Sequence, residues 1–82
     1  MIRAEVRVML KTGVLDPQGQ AIGKALGSLG FDGVNEVRQG KLIVLDLDTN
    51  DRSAAADQVK AMSEKLLANP VIENFTVELL DA

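Results

Sequence analysis

Ile2-Arg3-Ala4-Glu5-Val6-Arg7-Val8-Met9-Leu10-Lys11 decides the fold, because its hydrophobic period is two. Ile2, Ala4, Val6, Val8 and Leu10 fall on one side; Arg3, Glu5, Arg7, Met9 and Lys11 fall on the other. Successive strand side chains point to opposite faces, so this run predicts a strand with one buried face and one open face. Thr12-Gly13-Val14-Leu15 then leads into Asp16-Pro17. Asp16 suits a helix N-cap. Pro17 suits the first helical position, where a missing N–H is no loss.

Working outward, the spacing predicts a helix over Pro17 to Leu29, stopped by Gly30 in the C′ position. At ~100° per residue, Ile22, Ala25, Leu26 and Leu29 share one face, opposite Gln20 and Lys24. Gly19, Gly23 and Gly27 form an adjoining stripe, which admits two readings: close packing within the chain, or a contact between subunits. Phe31-Asp32-Gly33 reads as a turn. Val34 to Arg38 and Lys41 to Asp48 read as two strands joined by a hairpin at Gln39-Gly40, with the facing of Val37 left open. Thr49-Asn50-Asp51 offers caps for a second helix, Arg52 to Ala68, whose stripe Ala55, Val59, Met62 and Leu66 predicts the core side, with Leu67 beside it. Asn69-Pro70 ends that helix, since a residue before proline leaves the α region. A last strand runs from Ile72 to Leu80, with Phe75, Val77 and Leu79 alternating inward.

The expected class is therefore α+β: a single domain over residues 1–82 with the ferredoxin-like order β-α-β-β-α-β and both helices on one face of an antiparallel sheet. The second face is left bare. Met9, Leu42, Val44 and Leu80 are expected there among Glu5, Arg7, Asp46 and Glu78, and apolar residues gathered on an open sheet face mark an association surface.

Composition narrows the function classes. With 82 residues and no cysteine, the chain buries a thin core without staples, so association is a natural source of stability. Its formal net charge of −3, with no basic run and no Trp, Tyr or His, does not suit nucleic acid, which calls for clustered cations and stacking rings. The charged start, Met1-Ile2-Arg3-Ala4-Glu5, is unlike a signal peptide, and no apolar run reaches membrane-spanning length. A cytoplasmic protein is expected.

The chemistry that catalysis needs is also missing from the pattern. Without His or Cys there is no common general base, metal ligand or thiol nucleophile. Asp46, Asp48 and Asp51 are the one acidic cluster, which reads as a strand end running into a helix cap rather than a cation site. Gly19-Gln20-Ala21-Ile22-Gly23 matches no phosphate loop, and Asp16 already places negative charge at that helix start. No catalytic, cofactor or metal residue is assigned.

Five segments together carry a resemblance: Leu10 to Gly19, Phe31-Asp32-Gly33-Val34, Val37 to Lys41, Glu64 to Ala68 and Asn69 to Glu73. From roughly Arg3 to Glu78 the chain resembles the PurS family, small subunits of phosphoribosylformylglycinamidine synthase. Ser63 and Phe75 stand where a cysteine and a tyrosine are frequent, and Gly23 and Gly27 where larger or polar residues are expected. The resemblance implies a homodimer or higher homo-oligomer that bridges a glutaminase subunit (PurQ) and an ATP-dependent synthetase subunit (PurL) and assists ammonia transfer. ATP and magnesium would be used by the complex, with no cofactor bound by this chain. Leu15, Asp16, Pro17, Gln18, Gly19, Arg38, Lys41, Asn69 and Pro70, on turns of specific sequence, are the expected partner-subunit contacts, and Met9, Leu42, Val44 and Leu80 the expected dimer interface. The rival reading is a regulatory domain of the ACT type, which needs only backbone contacts and a glycine-bearing loop to hold a small ligand.

Overall fold

The alternation at the start of the chain is realised residue by residue in the computed structural model, which describes residues 1–81. β1 (Ile2–Leu10) is the central strand of a three-stranded antiparallel sheet in the order β2-β1-β3, with β2 spanning Gly40–Leu47 and β3 Glu73–Asp81. Val6 stands opposite Ile43 on one side and Val77 on the other; Ala4 stands opposite Leu45 and Leu79. That register puts Ile2, Ala4, Val6 and Val8 on the same face as Ile43, Leu45, Phe75, Val77 and Leu79, and a slip of one position would turn a strand's inward set to solvent. Ile2, Ala4, Val6 and Val8 are buried there, joined by Leu47, Ala55, Val59 and Ala68.

α1 (Pro17–Ser28) begins as expected: the Asp16 side chain accepts from the Gly19 N–H, with Pro17 inside the first turn. It ends before Gly30, whose φ of 93° is open to glycine at little strain. α2 (Arg52–Met62) is capped by Asp51, which accepts from the Ala54 N–H at 3.1 Å. Instead of continuing as an α-helix to Ala68, it widens into a π-helical turn over Ser63–Leu67, closed by the Ala68 N–H on the Ser63 carbonyl.

That turn changes which side chains are buried. The inward row is Ala55, Val59, Ser63 and, half-buried, Leu67, spaced by four throughout. The expected members Met62 and Leu66 are turned out, 38% and 83% exposed. Small residues at the contact bring α2 close to the sheet. Ser63 is admitted because its hydroxyl donates to the Val59 carbonyl at 2.8 Å, which satisfies a buried polar group within its own helix.

The α+β class and the antiparallel sheet stand, with two differences from the expected order. No strand forms at Val34–Arg38, and Gln39-Gly40 is no hairpin: Gly40 is the first residue of β2, paired with Met9. A side chain at Gly40 would run into the Met9 sulfur and the Val8 carbonyl, so close approach rather than positive φ accounts for the glycine. Positive φ lies instead at Gly30 and Gly33, which flank the Phe31-Asp32 turn. The second difference concerns α1. α2 packs on β1 and β3, whereas α1 packs on no strand to a comparable extent. The helix and the segment that follows it form an arm projecting from the end of β1. The molecule measures 48 × 27 × 15 Å, and its radius of gyration is 16.1 Å, against about 12 Å for a closed domain of this length.

Candidate functional site

The three turns singled out in the sequence lie far apart along the chain, yet β1 ends, and β2 and β3 begin, at one end of the sheet. There the turns meet. The link to the third is direct: the Lys11 N–H donates to the Ile72 carbonyl at 2.8 Å.

Asp16 is the centre of the junction. One carboxylate oxygen accepts from the Gly19 N–H and the other from the Gln39 N–H, both at 2.8 Å. A single buried side chain thus ties the start of α1 to the start of β2 across 23 residues of chain. The N–H groups of Gln39 and then Gly19 hold its carboxyl below the usual carboxylate value; desolvation opposes them, and the nearby Arg38 charge adds to the lowering. Arg38 ties the same corner from the other side. Its guanidinium donates to the Leu10 and Lys11 carbonyls at 3.2 Å each, and Glu36 lies 3.8 Å away.

The glycine stripe is explained in part by the same corner. A Cβ on Gly19 would overlap the Val37 carbonyl and crowd the Asp16 carboxylate, and one on Gly23 would touch a Val37 methyl at 3.6 Å. Gly19 thus serves close packing within the chain, whereas at Gly23 a methyl would make only ordinary contact. Gly27 faces open space.

The third turn is self-contained. The Asn69 carbonyl accepts from the Ile72 and Glu73 N–H groups, its side-chain oxygen accepts from the Val71 N–H at 3.1 Å, and Glu73 accepts from the Asn69 N–H at 2.7 Å. These bonds hold Pro70 and Val71 out on the surface.

The expected contact residues therefore divide. Asp16 and Gly19 are buried and Arg38 half-buried, so they build the corner; Leu15, Pro17, Gln18, Lys41, Asn69 and Pro70 are exposed and form its surface. Three shallow clefts mark the same end. One of about 250 Å³ is lined by Asp16, Gln18, Gln39 and Lys41. A second, of about 430 Å³, runs between Leu15 and Arg38, and a third, of about 700 Å³, between Lys11, Lys65, Pro70 and Phe75. Sequence reasoning placed Glu73 in the third turn but passed over Lys11 and Lys65, whose meeting with it depends on strand register, a property that no local pattern carries.

The other expected surface, the outer face of the sheet, is as open as the alternation implied. Met9, Leu42, Val44 and Leu80 are exposed on it. Arg3 pairs with Asp46 at 2.8 Å, and Arg7 bridges Glu5 at 3.0 Å and Glu78 at 3.2 Å. Leu42 and Val44 form a strip along the β2 edge, beside Met9. Leu80 stands apart, opposite Arg3 on the β3 side. The acidic cluster is dispersed, Asp46 in its ion pair and Asp51 in its cap. Among the described residues no group of His, Cys, Asp or Glu is placed to hold a metal ion, and no helix is long and apolar enough to cross a membrane.

Comparison with known proteins agrees with this geometry. Residues 3–81 match the family model of PurS, phosphoribosylformylglycinamidine (FGAM) synthase. Phosphoribosylformylglycinamidine synthase subunit PurS of Mycobacterium leprae is 53% identical over 78 residues, covering 94% of each chain. The crystal structure of Methanocaldococcus jannaschii PurS, one of the subunits of formylglycinamide ribonucleotide amidotransferase, superposes with a TM-score of 0.90 at 38% identity, covering 100% of this chain and 99% of that one. A chain of the PurLQS structure from Thermotoga maritima superposes with a TM-score of 0.85 at 32% identity, covering 98% and 99%.

Proposed function

This chain belongs to the PurS family, and on that premise we propose that it is the non-catalytic small subunit of phosphoribosylformylglycinamidine synthase in de novo purine biosynthesis, working in the cytoplasm. It joins the synthetase PurL to the glutaminase PurQ and assists the passage of ammonia, so that formylglycinamide ribonucleotide and glutamine give the amidine. ATP and magnesium belong to the synthetase. The observation that carries the reading is the full-length match to PurS chains, one of them in a PurLQS assembly.

The junction supports this role physically. A subunit that joins others acts through surfaces, and surfaces on turns hold their shape only when the backbone beneath them is tied. Asp16, Arg38 and Asn69 supply those ties. Leu15, Pro17, Gln18, Lys41, Asn69 and Pro70 then meet the partner subunits. The outer sheet face, with Met9, Leu42 and Val44 on one side and Leu80 on the other, pairs two copies.

Reconstitution tests the function. The glutamine-dependent reaction of the synthetase and glutaminase should require this chain, while the reaction supplied with free ammonia proceeds without it. Equal glutamine-dependent rates with and without the chain would refute the proposal.

A further inference from the structure

The turn that carries the chain out of α1 contains Asp32-Gly33, the one place in the sequence where an aspartate precedes a glycine. An aspartyl side-chain carbon lies within ring-closing reach of the next residue's amide nitrogen, and attack there makes a five-membered succinimide. Folded structure ordinarily prevents this in three ways. The amide is held in a ladder or helix, the carboxylate is engaged, or the next side chain blocks the approach. All three restraints are missing here. Asp32 and Gly33 are exposed and lie outside the helices and strands. Among the described residues, the Gly33 N–H has no acceptor and the Asp32 carboxylate has neither a donor nor a cation beside it. Gly33 has a φ of 87° and open space where a Cβ would stand.

We propose that Asp32-Gly33 is a site of covalent modification, at which the chain rearranges to isoaspartate without a cofactor. The Gly33 nitrogen adds to Cγ of Asp32 and gives up its proton, and a carboxyl oxygen departs as water, which closes the succinimide. Water then opens the ring at one of its two carbonyls. Breaking the bond from nitrogen to Cγ restores aspartate. Breaking the bond from nitrogen to the main-chain carbonyl carbon leaves the peptide running through Cβ and Cγ, with the α-carboxylate free. One water leaves and one returns, and nothing is oxidised or reduced. The product has one more carbon in the main chain between α1 and Gln39, whose N–H is bonded to Asp16.

The other aspartates lack this combination. Asp16 precedes Pro17, whose nitrogen has no proton to give up, and its two oxygens accept from the Gly19 and Gln39 N–H groups. Asp46 lies within β2 and is paired with Arg3. Asp51 caps α2, and Asp57 lies inside that helix, where the backbone is fixed. Asp48 precedes the β-branched Thr49, and Asp81 faces Arg52 at 3.4 Å. The rearrangement is a property of this one turn, independent of the role in amidine synthesis.

Ageing of the intact protein tests this. The folded chain is kept at neutral pH for weeks, sampled, and cut with trypsin after Lys24 and Arg38, which releases residues 25–38 with Asp32 as their only aspartate. Electron-transfer fragmentation then distinguishes isoaspartate from aspartate of equal mass. Isoaspartate should build up at position 32 at a rate within about tenfold of that in the synthetic peptide of residues 25–38, since a segment that opens at almost no cost gives little protection. A slower rate than that, or earlier isoaspartate at any other aspartate, overturns the proposal. Two variants check the chemistry without straining the glycine. Asp32→Glu keeps the charge but would have to close a six-membered ring, so it should yield no isomerised peptide while the circular dichroism stays the same. Asp32→Asn closes the same ring with ammonia as the leaving group, and the lowered barrier should raise the rate about tenfold. An isomerised peptide from Asp32→Glu, or an unaltered rate in Asp32→Asn, would show that the Gly33 nitrogen does not reach this side chain.

Discussion

The half of the sheet under α2 and the arm bearing α1 are built from similar material and end in opposite states. Both pair an amphipathic helix with extended chain, and both offer aliphatic residues at regular spacing. Under α2 those residues are buried: Ala55 and Val59 meet Val6 and its neighbours, and the polar Ser63 is admitted because it is satisfied. On the arm, Ile22 and Leu29 remain in solvent. The difference teaches that periodicity specifies a face without specifying what covers it. β1 can be read from sequence because its neighbours in the sheet are in the same chain; α1 cannot, because no strand packs on it as β1 and β3 pack on α2.

Truncation should expose that contrast most strongly. Val6→Ala removes two buried carbons at the centre of the sheet and should cost about 2–3 kcal/mol of folding stability by urea denaturation. Ile22→Ala, measured in solution dilute enough to suppress association, should cost less than about 1 kcal/mol, because its side chain loses little contact. Equal losses at the two positions would mean that α1 is packed within the single chain after all.

Next in size is the joint between the two regions. Gly19→Ala places a methyl against backbone that cannot yield cheaply, and the displacement should cost about 1–3 kcal/mol. The Gln39 amide, bonded to Asp16, should lose hydrogen-exchange protection in the same variant, while amides in the middle of β1 keep theirs.

Asp16 gives the joint its own pH dependence. Its carboxyl sits below the ordinary value of 3.8 in the folded chain, so the unfolded state takes up the proton first as acid is added. The stabilisation is complete above that value and fades as the pH falls through and below it. Asp46, lowered by its hydrogen bond from Arg3, fades over the same range. Asp16→Asn should therefore lower the melting temperature at neutral pH and flatten its decline in acid, with a smaller total effect than Gly19→Ala. A wild-type decline that Asp16→Asn leaves unaltered would show that this carboxylate is not the group responsible.

What was legible in the sequence follows the same division. The strand from Ile2 to Leu10, both N-caps, the glycine stop at Gly30 and the inward set Phe75, Val77 and Leu79 each depend on residues close in sequence or on a simple period. The three turns were identified one by one, but their meeting around Asp16 required the strand register. The expected hairpin failed for a physical reason. Gln39-Gly40 suggested a turn, whereas the role of Gly40 is to let Met9 and Val8 come close across the sheet. Val34–Arg38 has strand-like composition but no strand beside it to complete a ladder, and its Val37 packs on the glycines of α1.

The least expected effect separates two readings of α2. The mixed spacing Ala55, Val59, Met62 and Leu66 makes Leu66 a core residue; the π turn at Ser63–Leu67 turns it outward and brings Leu67 and Ala68 in. A buried leucine made polar would cost several kcal/mol, since the transfer loss is joined by an unsatisfied amide. An exposed one changes stability by no more than about 0.5 kcal/mol. Leu66→Gln should accordingly leave the urea midpoint within that limit, while Leu67→Gln shifts it clearly. If the two responses are exchanged, the π turn is misplaced by one residue, and the close seat of α2 on the sheet, which the small side chains of Ala55 and Ser63 permit, falls with it.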